Sequence, residues 1–194
     1  MIDELDYLYL ESKFDEDYKQ IIKFIIDNNE FKKRKLYHHH EQRSVYTHSL
    51  KVSFYSYKIA KKLKMDYYST AIGGLLHDFY YNDWQLTKRK GIKNMHGFVH
   101  AKEAYDNTII NFEFLNENKK IKDIIIKHMF PLNIKPPFYL ESWIVTIVDK
   151  CASIEIFKNP KGLLKYIGIK GRWFYERYNS CYINCSRCWC YINN

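Results

Sequence analysis

Histidine and aspartate stand in this chain where apolar side chains are expected. The stretch 73–78, GGLLHD, follows two leucines directly with His77 and Asp78. On a helix, Ala71, Leu75 and Asp78 share one face at i, i+4 and i+7, so an apolar stripe ends in a carboxylate. An ionised Asp carried inward costs several kcal/mol (~3 or more) unless something neutralises it. A helix cap, an arginine or a metal ion could do so. Four more segments repeat the pattern. His48, His100, His128 and Asp149 each sit on or beside an apolar helical stripe. One inward histidine is ordinary core. Five such segments share a simpler explanation, which is convergence on metal. Imidazole and carboxylate together suit borderline or hard divalent ions: Fe, Mn, Mg, Co, Ni or Zn. Six side chains exceed what one catalytic ion takes while keeping a position open for water, so they point to two ions sharing one carboxylate.

The elements that must position these residues read as helices almost throughout. Tyr18, Ile21, Ile22 and Ile25 give a helix over about 15–28. A long helix over about 45–64 is expected to bury Val52, Tyr55, Ile59 and Leu63, with His48 on the same stripe. A helix over 69–79 carries the His-Asp pair, a polar loop covers about 82–97, and a helix over 100–113 begins at His100. Ile121, Ile124 and Ile125 mark a helix over 119–128, ended by Phe130-Pro131. The last helix, 140–157, is expected to bury Leu140, Ile144, Ile147 and Cys151, with Val145, Asp149 and Ala152 on an adjoining apolar stripe. No alternating β pattern or repeat is visible. The fold class is all-α.

The blocks around these residues resemble a known superfamily. His48, His77-Asp78 and Asp149 match the H…HD…D signature of the HD-domain metal-dependent phosphohydrolases. The likeness extends to THSLKVSFYSYKIAKKL around His48, GGLLHDF around the pair, HGFVHAKEA around His100, and IIIKHMFPLNIKPPFYLESWIVTIVDK through His128 and Asp149. It covers about residues 35–157 and looks closest to small bacterial HD proteins. The resemblance implies a helical bundle with the metal site between helices. It implies that His48, His77, Asp78 and Asp149 hold one ion, and that His100 and His128, sharing Asp78, hold a second. Two such ions can hold a hydroxide directed at phosphorus. The substrate would be a small phosphorylated molecule, foremost a nucleotide. A metal-containing sensor without turnover and a nucleic-acid-processing phosphodiesterase are the competing readings.

Other residues complete the candidate site. Asp78 and His96 are the catalytic candidates, Asp78 through the ions and His96 as leaving-group acid or substrate contact. Arg43 and Lys51 bracket His48 and are candidate phosphate contacts. Lys150 could meet a phosphate or steady Asp149. Asp83 and Trp84 are placed at the pocket mouth, and His38-His39-His40 in an exposed loop.

Composition bounds the rest. A chain of 194 residues, 46% hydrophobic and 27% charged, suits one folded soluble domain. No apolar run is long enough to span a bilayer, and the acidic start MIDELDYLYLESKFDED does not resemble a signal peptide, so a cytoplasmic protein is expected. The net charge of +9 first suggests nucleic acid. Yet residues 158–194 hold Lys158, Lys161, Lys165, Lys170, Arg172, Arg177 and Arg187 against Glu176 alone, so the body is nearly balanced. The expected organisation is an N-terminal helical extension over 1–34, the HD domain over 35–157, and a basic, aromatic and Cys-rich tail over 158–194. Cys151 is expected to be a small core residue.

Overall fold

The computed structural model describes residues 2–37, 44–80 and 96–153, all within one compact unit, Met1–Ser153. Eight α-helices run through these residues: α1 (Ile2–Glu11), α2 (Glu16–Ile26), α3 (Asn29–Lys32), α4 (Val45–Lys62), α5 (Tyr67–Leu76), α6 (His96–Asn111), α7 (Lys119–Lys127) and α8 (Leu140–Ser153). No β-strand occurs among the described residues. The fold is an all-α bundle.

Local chemistry sets where the helices begin. Asp15, Asn28, Ser44, Asp66 and Asn118 cap α2, α3, α4, α5 and α7, each accepting a hydrogen bond from a first-turn backbone N–H. Such side-chain oxygens satisfy donors that the helix itself leaves unpaired. The start of α8 is held from another element. Asp123 on α7 accepts from the backbone N–H of Phe138 and Tyr139 and from the Ser142 hydroxyl. This anchors the helix that carries Asp149.

The bundle centres on α4 and α5, with α8 against α4 and α7 against α5. Tyr18, Ile22 and Ile25 of α2 join the same core as Leu50, Phe54, Ile72 and Leu75. A buried hydroxyl chain links three helices. Tyr18 donates to Ser53 Oγ at 2.8 Å, and Ser53 donates to the Ala71 carbonyl at 2.7 Å.

Two apolar faces differ from the periodicity reading. On α4, Val52 is buried, but Ile59 and Leu63 are exposed, and the inner face carries Ser49, Ser53, Ser56 and Ala60 instead. On α8, Leu140, Ile147 and Cys151 are exposed, so Cys151 is not a core residue. The adjoining stripe with Val145 and Asp149 is the one turned inward. Close helix approach explains the first difference. A Cβ on Gly74 would lie 3.0 Å from the Ser53 Cα, so only small residues fit where α5 crosses α4. Because the neighbour is backbone, it cannot rotate away. Gly74→Ala is therefore expected to destabilise the fold by roughly 2 kcal/mol, overpacking outweighing the better helix propensity of alanine. Urea unfolding measures this, and an unchanged midpoint would refute the close-approach account.

Candidate metal centre

The six expected residues meet at one place. His48 comes from the first turn of α4, His100 from the first half of α6, and Asp149 from the last turns of α8. His77 and His128 occupy equivalent positions, each the residue that closes the C-terminus of its helix, α5 or α7. The expected helix over 69–79 thus ends earlier, and Asp78 lies in the turn beyond it. All six residues are buried, none more than 5% exposed.

The helix ends orient the two rings. The last carbonyls of a helix lack intrahelical partners. His77 Nδ1 lies 2.8 Å from the Gly74 carbonyl oxygen, and His128 Nδ1 lies 2.8 Å from that of Ile125. A carbonyl only accepts, so both Nδ1 atoms carry the hydrogen. Each neutral ring then presents its Nε2 lone pair to the interior. Sequence reading missed these carbonyls. Their signal is the placement of both histidines one residue past an apolar helix.

Asp78 stands between two groups of imidazoles. Its Oδ2 lies 3.4 Å from His77 Nε2 and 3.9 Å from His48 Nε2. Its Oδ1 lies 3.3 Å from His100 Nε2 and 3.5 Å from His128 Nε2. Asp149 closes the first group. Its Oδ1 is 3.1 Å from His48 Nε2 and 3.5 Å from His77 Nε2. The Nε2 atoms of His100 and His128 are 2.9 Å apart. Ligating atoms in each group, His48–His77–Asp78 and Asp78–His100–His128, all lie within 4.8 Å of one another.

Electrostatics favour a cation at this point. His77 Nε2 is buried and makes no hydrogen bond, its carboxylate neighbours being at ion-pair distance. Burial pushes the pKa of this imidazole down, but Asp78 and then Asp149 outweigh it, leaving it raised to about 9. The pocket therefore holds a proton where a neutral ring would offer a lone pair. Burial also opposes the charge on Asp149, yet the hydrogen bond from His48 and the contacts with His77 hold its carboxyl well below the usual range. His128 is shifted down, by burial first, and stays neutral. A nitrogen and oxygen set whose buried Nε2 faces two carboxylates, and which takes up a proton when no other cation is there, fits divalent metal.

A family comparison agrees with this geometry. The family model of the HD domain matches residues 45–154, more than half of the chain. The chain belongs to the HD domain family. HD domains form a superfamily of metal-dependent phosphohydrolases that bind divalent ions, and His48, His77, Asp78, His100 and His128 form the candidate metal sites in this one. Comparison with curated proteins and with solved structures returned no match.

Three of the remaining candidates, His96, Lys51 and Lys150, lie on described helices of this HD domain. His96 is the first residue of α6, so it belongs to a helix rather than to the expected loop. Lys51 is half-buried on α4, three residues after His48. Lys150 donates to Asp149 Oδ2 and to the His128 carbonyl, each at 3.0 Å. Arg43, Asp83, Trp84, His38-His39-His40 and the tail over 158–194 lie outside the described residues. Among the described residues no helix is long and apolar enough to cross a membrane.

Proposed function

We propose that this HD domain hydrolyses a phosphate ester or anhydride bond of a small phosphorylated molecule, foremost a nucleotide, with two divalent ions. The observation that carries the reading is Asp78, which turns one oxygen to His48 and His77 and the other to His100 and His128. One carboxylate so placed could serve two ions at once.

Each residue has a task in this arrangement. His48, His77, Asp78 and Asp149 would hold one ion, and Asp78, His100 and His128 the other. The Gly74 and Ile125 carbonyls keep His77 and His128 in the tautomer that binds. When bound, divalent ions supply a water-derived nucleophile at neutral pH and neutralise the phosphoryl oxygens. The depth of the six side chains favours a terminal phosphoryl group on a slender molecule over a polymer backbone. His96 remains the candidate to protonate the leaving oxygen, and Arg43 and Lys51 the candidate phosphate contacts.

The test combines metal content with turnover. Protein purified without chelator is expected to carry two metals per chain and His128→Ala one, by elemental analysis. Wild-type protein with Mn, Fe, Co, Ni, Zn or Mg is then screened for phosphate release across a nucleotide panel. Release that chelator abolishes supports the reading. Two bound metals with no release from any nucleotide would favour the sensor instead.

A further inference from the structure

We propose that Lys150 is a positioning residue that ties the two halves of the metal centre together. The proposal rests on the two-metal reading above. Lys150 Nζ lies 3.0 Å from Asp149 Oδ2 and 3.0 Å from the His128 carbonyl oxygen. Asp149 belongs to the group with His48 and His77, and His128 to the group with His100. One ammonium thus touches a member of each.

Both contacts have a physical reason. The His128 carbonyl is at the C-terminus of α7, where carbonyls lack helical partners and negative dipole charge collects. A lysine cation satisfies both. At Asp149 the cation occupies one oxygen only. The other, Oδ1, faces His48 at 3.1 Å and His77 at 3.5 Å, and also accepts from the Ser153 hydroxyl at 3.3 Å. With Oδ2 held by Lys150, the carboxylate cannot rotate, and it presents a single oxygen to the imidazoles. Lys150 therefore latches the end of α7 to α8 and fixes the direction of Asp149 in the same contact.

A phosphate-contacting lysine makes the opposite demand. It should release substrate when mutated and leave metal affinity untouched. Lys150→Met keeps the side-chain length and removes the donor. We expect its Mn affinity, measured by titration of the chelator-stripped full chain, to fall about tenfold to a hundredfold, as for other residues that orient metal ligands. Lys150→Arg, which retains a cation and donors, should recover most of that loss. Inorganic phosphate binding to Mn-saturated Lys150→Met should stay close to wild type. Wild-type Mn affinity in Lys150→Met together with lost phosphate binding would overturn the proposal and assign Lys150 to substrate. A wild-type chain that binds no Mn, Fe or Zn would overturn the two-metal reading itself and this proposal with it. If Lys150→Met does not fold, Lys150→Gln is read by the same two titrations.

Discussion

Asp78→Asn should lose both metals and at least about a thousandfold in phosphate release, a barrier increase of roughly 4 kcal/mol, while keeping its helix content. The metal loss follows from geometry. Among the described residues Asp78 is the one side chain shared by both candidate groups, with Oδ2 toward His77 and Oδ1 toward His100. Asparagine is nearly isosteric but neutral, and one of its two ends is a donor. That end has no lone pair to offer a metal ion, so one imidazole group would lose its oxygen ligand, and the charge needed to balance two dications is gone. The fold should survive because Asp78 lies beyond the hydrogen-bonded body of α5, which ends at Leu76. Elemental analysis, phosphate release and far-ultraviolet dichroism on one preparation check all three parts. An Asp78→Asn protein that holds two ions and turns over normally would remove Asp78 from the centre of the mechanism.

Much of this site was legible in the sequence because its residues break a pattern. A helix over 119–128 with Ile121, Ile124 and Ile125 on one side leaves little doubt that His128 is aimed inward, and it is buried. The same holds for His77 after Leu75 and Leu76. What periodicity could not supply was which of two apolar stripes wins. On α8, Leu140, Ile147 and Cys151 are as apolar as the buried set, but Asp123 captures the start of the helix and Asp149 faces His48, so the stripe with Val145 turns inward. On α4, Leu50, Phe54 and Tyr57 share the inner face with serines and alanine, which hydrophobicity does not mark. These small residues are buried because Gly74 allows α5 to approach the Ser53 backbone. The division of labour between the two oxygens of Asp78, and the double contact of Lys150, are tertiary facts with no trace in spacing.

Stripped of metal, the protein should be most stable near pH 6.5 and lose on the order of 3 kcal/mol between there and pH 9. The cause is His77. Its pKa is raised to about 9 in the folded chain by Asp78 and Asp149, against an unfolded value near 6.5. A raised folded pKa means that the native state binds more protons than the unfolded state across that interval. The stability is complete below about pH 6.5 and disappears as pH climbs through 9. The groups facing this ring are the Asp78 carboxylate at 3.4 Å, the Asp149 carboxylate at 3.5 Å, and the rings of His48 and His128, with centroids 5.5 and 4.9 Å away. On the acid side His128 works in the other direction. Burial holds its folded pKa down, so its contribution is present above about pH 6.5 and is lost as pH falls. The Asp149 carboxyl, also held low, adds to the loss at still lower pH. Saturating Mn should reverse the alkaline limb. Metal needs the lone pair that the proton occupies, so metal-loaded protein should gain stability from pH 6.5 toward 9. Urea unfolding at half-unit pH steps, with chelator and with Mn, measures both limbs. A chelated protein whose stability stays flat or rises from pH 7 to 9 would mean that no proton stands in for the cation, and that the carboxylates are balanced by some other group.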